Sequence, residues 1–204
     1  MIGWRTARLA ALGVMLALAG CKTVENSLSQ NDVSAMKLAG VTVRFAPDAS
    51  IQWEDGIRAY AVAKSIPDDQ IATAANTPEG NAFVQNLLGQ RIKAGLERKV
   101  APQLTGTRQV RLEIVVKHFA IASAVQSVLI GGGRGMRADA TLVDARTGAV
   151  IISHPDMAAV LLAGSGIVGT AVQAAVDASS KDSVADKLVG QYADIYCNWL
   201  LQRA

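Results

Sequence analysis

Two cysteines, two histidines and a pair of glycine-rich runs are the residues of this 204-residue chain whose type and spacing could do chemistry. Gly164-Ser165-Gly166-Ile167-Val168-Gly169 has the G-x-G-x-x-G spacing with which a strand-to-helix turn brings backbone N–H groups up to a dinucleotide pyrophosphate. Such a site also needs a second parallel strand, about 20 residues on, ending in an acid for the ribose. Here the chain enters its last helical segment instead, so no nucleotide cofactor is expected. Ser127 to Gly135 joins Val128-Leu129-Ile130 to a glycine run and Arg134, a composition that could nest a phosphate. No Lys-Ser/Thr pair follows it, and the stretch reads better as an excursion between strands whose apolar tip could dock on a partner or a membrane. His118 and His154 lack Cys, His or carboxylate companions at metal-site spacings, and Ser165 lacks the surroundings of a nucleophile elbow. The expectation is a chain with no catalytic residue, no metal and no cofactor.

Cys21 is different, because the residues ahead of it form a pattern. Arg5 and Arg8 make a basic start, Leu9 to Ala19 is almost wholly apolar, and small residues precede the cysteine, which is the grammar of a secretory signal. Leu9 to Gly20 falls well short of the roughly 20 residues a membrane-crossing helix needs. On residues alone, Cys21 could be a thiol near the mature end of a secreted chain. Leu18-Ala19-Gly20-Cys21, however, resembles the lipobox of bacterial lipoproteins. That resemblance implies cleavage before Cys21, diacylglyceryl modification of its thiol and acylation, with palmitate-like chains, of its new amine. Lys22, where an Asp tends to retain such proteins at the inner membrane, implies sorting to the outer membrane with the domain facing the periplasm. Lipidation of Cys21 would leave Cys197 without an intramolecular disulfide partner, either as a small buried apolar side chain or as a reactive thiol.

Composition narrows the rest. The formal charge is +3, and two of those charges, Arg5 and Arg8, belong to the signal, so nothing argues for nucleic acid as a partner. Hydrophobic residues make up 50% but aromatics only 4%, which predicts a core of Ala, Val, Leu and Ile packed around abundant Gly and disfavours stacking platforms for sugars or bases. The expected organisation is a signal over 1–20, a flexible polar tether over 21–37, and one domain over 38–204.

Periodicity supplies the elements that would position any site. Val41, Val43 and Phe45 alternate with Thr42 and Arg44 in a first strand, stopped by Pro47 to Ser50. Ile51 to Ala63 spaces Trp53, Ile57 and Tyr60 as a helical face. Thr77 caps a long helix to Val100, with Pro78 at its first position and Val84, Leu87, Leu88, Ile92 and Leu96 on one face. Val110, Leu112, Ile114 and Val116 share one face of a strand whose other face carries Arg111, Glu113 and Lys117. Met136 to Leu142 and Ala149 to Ser153 form a hairpin around Asp144 to Gly148, and His154-Pro155-Asp156 reads as a turn. Met157 to Val176 holds no charged residue but is rich in Ala and Gly, better suited to close packing or self-association than to lipid, with membrane insertion as the alternative. A last helix opens on Ser183 and Asp186 and presents Leu188, Tyr192, Ile195 and Trp199. The predicted class is α+β: a mainly antiparallel sheet of about four strands with helices packed on one face.

Gly131 to Gly133, the strand ending Leu142-Val143-Asp144, then Arg146-Thr147-Gly148 and Val150-Ile151, resemble a pattern shared by small Gram-negative envelope lipoproteins, including the curli-secretion lipoprotein. The resemblance spans about Gln109 to Ser153 and implies an anticodon-binding-like, TolB N-terminal-like domain that serves assembly rather than chemistry. The expected role is a non-enzymatic outer-membrane lipoprotein that binds an envelope protein partner. The alternative is a homo-oligomeric structural or pore-like component.

Overall fold

The computed structural model describes residues 24–121, 133–161 and 183–203. In chain order these form α1 (Gln30–Ser34), β1 (Met36–Trp53), α2 (Glu54–Lys64), α3 (Ile71–Ala75), α4 (Pro78–Val100), β2 (Arg108–Ile121), β3 (Arg134–Asp144), β4 (Val150–Leu161) and α5 (Val184–Leu200). The sheet order is β1-β2-β3-β4. β1 runs parallel to β2, because α2 to α4 intervene as a crossover, and the other two pairs are antiparallel. The α+β class stands as the sequence indicates, with one parallel pair added.

Each strand contributes its apolar alternation to one face. Val110, Leu112, Ile114 and Val116 of β2 and Met136, Ala138, Ala140 and Leu142 of β3 are at most 1% exposed, beneath α4 and α5. Bulges then shift the alternation. Lys117 is an extra residue opposite β3, so the inward set changes parity and Phe119 joins the core, edge-on to Trp53 at 6.2 Å. Two strand ends fall elsewhere than the sequence suggests. Pro47 does not stop β1; Ala46 to Ala49 oppose Lys117 alone, and pairing resumes at Ser50, a bulge on an outer strand of the described sheet being a place where Pro is tolerated. Ile51 to Trp53 therefore end β1, and α2 begins only at Glu54. His154-Pro155-Asp156 is likewise no turn but a bulge inside β4, with Asp156 at φ 51° and its N–H held by Asp139 Oδ1 at 2.8 Å. Met157 to Leu161 are strand, so the uncharged stretch beginning at Met157 is not one continuous helix.

α4 matches its sequence boundaries: Thr77 Oγ1 accepts the Gly80 N–H, and Pro78 opens the helix. α5 runs parallel beside it, tied by Arg91 to Asp186 and Lys99 to Asp194, with the close approach at Gly95, where any Cβ would meet Val189. The buried face of α5 is rotated from the expected one. Leu188 and Tyr192 are in it, but Val189, Ala193, Tyr196 and Cys197 take the place of the half-buried Ile195 and Trp199. Cys197 is 7% exposed and burial pushes its thiol up, so it packs as a small apolar residue.

Two tyrosines in this face offer a paired measurement. Tyr192 O–H donates to the Ala138 carbonyl at 3.2 Å across the core, whereas the buried Tyr196 hydroxyl has no hydrogen-bond partner among the described residues. Burial raises both phenols above their ordinary range, so both stay protonated. Tyr192→Phe is expected to cost about 1 kcal/mol and Tyr196→Phe to be neutral or stabilising by about 1 kcal/mol in denaturant unfolding. The opposite ranking would contradict this arrangement.

The start of α5 carries a pH dependence. Ser183 and Asp186 form a reciprocal capping box, and Arg91 Nη1 donates to both Asp186 oxygens at 3.1 Å. Burial alone raises the Asp186 carboxyl, but the Ser183 hydrogen bonds and the Arg91 charge more than reverse this and hold it below the usual range. A lowered folded value means the stabilisation is complete above the ordinary carboxylate pKa of about 4 and is lost as pH falls through the folded value. Asp186→Asn should therefore lower stability by about 1 kcal/mol at neutral pH, a gap that narrows in unfolding curves taken progressively below about pH 4.

Candidate functional site

The chain just after the predicted lipid position is fastened to the domain rather than free. Trp199 Nε1–H donates to the Val24 carbonyl at 2.8 Å, and Asn26 Nδ2 donates to the carbonyls of Trp199 and Leu200 at 2.9 and 2.8 Å. Gln202 Nε2 donates to Leu28 O at 2.6 Å, and α1 follows with its own capping box on Ser29 and Asp32. Val33 and Met36 are buried in the core. The segment read as a flexible tether through Lys37 is thus docked from Val24 onward, because its Ser and Asn residues cap and strap, and its sparse apolar residues reach the core. Residues 22 and 23 alone separate Cys21 from the strap. Cys21 itself, 127–132 and Gly164 to Gly169 lie outside the described residues.

The strap defines one end of the domain. There the Gly106 N–H donates to Met36 O at the start of β1, and the Ala145 N–H, in the β3–β4 turn, donates to Gln109 O. At the other end, Trp53, Ile121, Arg134 and Leu161 form a single register row across all four strands. The chain leaves the described sheet after Ile121 and after Leu161, both from this row. α5 spans from beside it, where Arg91 lies 5.5 Å over the Trp53 ring and holds Ser183 and Asp186, to the strap.

The sequence-singled histidines do not meet. His118 pairs with Arg137 in the sheet, whereas His154 sits opposite Ala140 with its ring 5.0 Å from that of Trp199. Among the described residues no group of His, Cys, Asp and Glu is arranged to hold a metal ion. One charged constellation escapes sequence reasoning. On the solvent face, Lys117 Nζ lies 2.7 Å from Asp139 and 2.9 Å from Asp156, and Arg137 stands 3.6 Å from Asp156. Hydrogen bonds to Asp139 and then Asp156 raise the Lys117 ammonium; burial raises Asp139, but Lys117 and the Asp156 N–H more than offset this and lower it. Carboxylates so occupied are poor general acids or bases at neutral pH. The cluster clasps the β2 bulge to the β4 bulge. The signal that could have found it is a strand-borne Pro-Asp opposite an alternating Lys and Asp.

The surface available to a partner is the polar sheet face and its two margins. Among the described residues β1 and β4 pair on one side only. The Pro47 and Asp156 bulges divide each margin into short straight runs, and Val150 and Val160 of β4 are 66% and 53% exposed. Between β1 and α4 an open groove of about 390 Å³ is floored by Val43, Phe45 and Gly89 and rimmed by Gln85 and Lys93. No helix among the described residues is long and apolar enough to cross a membrane.

No protein-family model and no curated protein matches the sequence. The chain is similar to solved structures that include a PelC dodecamer from Paraburkholderia phytofirmans, at 13% identity over 88% of this chain and 95% of that one, TM-score 0.35. Others are lipoprotein GNA1162 from Neisseria meningitidis, at 18% identity over 70% and 95%, TM-score 0.24, and a lipoprotein candidate from Caulobacter crescentus CB15, at 14% over 56% and 81%, TM-score 0.32. Superpositions this loose carry no functional weight.

Proposed function

We propose that this protein is a non-enzymatic lipoprotein, anchored through Cys21 to the periplasmic side of the outer membrane, whose domain binds another envelope protein as an accessory or assembly factor. The observation that carries the reading is Leu18-Ala19-Gly20-Cys21 closing a secretory signal three residues ahead of Val24, where the folded domain is already fastened. Support for binding rather than chemistry comes from the Lys117, Asp139 and Asp156 charges of the solvent face, which satisfy one another, and from two sheet margins that pair on one side only among the described residues. The test is photo-crosslinking in intact cells from Val160 on the β4 margin and from Thr141 on the solvent face, with the N-terminal peptide weighed in parallel. The expected result is an acylated Cys21 and a discrete adduct containing a different envelope protein. Recovery of monomer alone from both positions overturns the partner reading.

A homo-oligomeric or pore-like component is the second reading. It is favoured by the common register row from which 122–132 and 162–176, both uncharged, depart. Adducts composed of this chain alone would select it.

A further inference from the structure

We infer that the strap from Val24 to Leu28 sets how the domain stands on the membrane: the C-terminal end of α5 faces the lipid headgroups and the α2–α3 end points away. The inference rests on the lipid anchor at Cys21 proposed above. Three residue steps separate Cys21 from Val24, and a fully extended chain covers at most about 3.6 Å per step, so the lipidated Cα lies within about 11 Å of the strap. A tether running to Lys37 would allow several times that reach and would leave orientation free.

The strap is not a single contact. Trp199 holds Val24, Asn26 holds two carbonyls at the end of α5, and Gln202 holds Asn26 and Leu28, all at distances of 2.6–3.3 Å. α5 needs such partners, since its last carbonyls have no helical N–H to accept from. Asn26 therefore serves as a C-cap delivered from 174 residues away in sequence. The end it marks is polar. Gln30, Gln103, Gln202 and Arg203 edge a cleft of about 180 Å³, a surface suited to headgroups rather than to acyl chains. The opposite end is reached along α4. Lys99 near its C-terminus bonds to Asp194 of α5, and Glu79 near its N-terminus pairs with Lys64 of α2. At 1.5 Å per residue the 23 residues of α4 place the two ends roughly 35 Å apart.

The test uses the full-length lipidated protein in phosphatidylethanolamine/phosphatidylglycerol vesicles that contain a nickel-chelating lipid, with spin labels at Asn198→Cys or Val62→Cys in a Cys197→Ala background. Both label positions are exposed, Val62 at 81%. Relaxation enhancement is expected to be several-fold greater at position 198 than at position 62. Asn26→Ala with Trp199→Phe and Gln202→Ala, which removes every side-chain donor of the strap without touching a fully buried side chain, is expected to bring the two labels together while circular dichroism stays unchanged. Equal enhancement in the strapped protein, or an unchanged difference after cutting the strap, overturns the orientation. An unmodified Cys21 by mass overturns the anchor and the orientation with it, whereas a modified Cys21 with equal labels overturns the orientation alone.

Discussion

Exchange of the first 21 residues for a plain, cleavable secretory signal is expected to move the folded protein from the membrane pellet to the soluble periplasmic fraction, a change of at least about a hundredfold in partition. Buried methylenes contribute about 0.8 kcal/mol each, so one chain of about fourteen carbons binds only marginally, and the second and third chains that lipidation supplies make release negligible. Among the described residues no helix is long and apolar enough to cross a bilayer in their place. A point change at Cys21 is the weaker version of this experiment. Leu9 to Ala19 would remain attached as an apolar segment and could keep the chain in the pellet for a different reason. The exchange also separates the two readings of function. Anchorless protein that stays in the pellet through an alkaline wash would show that residues beyond the anchor hold the membrane, and would favour the pore-like reading.

The second large effect is at Gly95. A Cβ built there falls on the Val189 side chain, at the closest approach of the parallel helices α4 and α5. Gly95→Leu is expected to cost about 3 kcal/mol or more in denaturant unfolding, the upper range for overpacking, because both helices are also pinned by Arg91 to Asp186 and Lys99 to Asp194 and cannot slide apart locally. Gly95→Ala is the sharper probe. Helix propensity alone would make it stabilising by about 1 kcal/mol, yet the contact should make it net destabilising. Adding Val189→Ala should restore most of the loss, a coupling of about 1–2 kcal/mol. Gly190, one residue on from Val189, is the control: a Cβ there meets none of the described residues within 4 Å, and Gly190→Ala should stabilise by about 1 kcal/mol. Stabilisation by Gly95→Ala alone would contradict the close crossing.

What was legible in the sequence was whatever depends on local order. Thr77-Pro78 and Ser183 with Asp186 mark helix starts by chemistry within one turn, and both stand where the sequence puts them. Val110 to Val116 and Met136 to Leu142 declare a buried face by period, and that face is buried. What escaped depends on a partner strand or a distant segment. Pro47 and Pro155 look like stops because a lone strand would end there; in a sheet, the neighbour carries the register across the bulge. Asn26 and Ser29 look like linker composition because their partners lie at the far end of the chain or in a capping box closed by an Asp rather than a Glu. The candidate site divides the same way. Cys21, outside the described residues, is read from its immediate sequence neighbours alone, whereas Lys117, Asp139 and Asp156 come together only when three strands align.

Under the anchor proposed at Cys21, the bulges in the two outer strands bear on self-association at a two-dimensional surface. A sheet with open margins is a template on which identical copies could stack into cross-β fibrils, and a lipid anchor raises the local density at which that happens. The longer straight runs between the bulges are Gly40 to Phe45 and Ser50 to Trp53 on one side and Ile152 to His154 and Met157 to Leu161 on the other. None exceeds six residues, the lower end of the length that a dry zipper between sheets requires. Pro47 and the left-handed Asp156 thus keep every straight run at or below that length, which works against polymerisation along the margins.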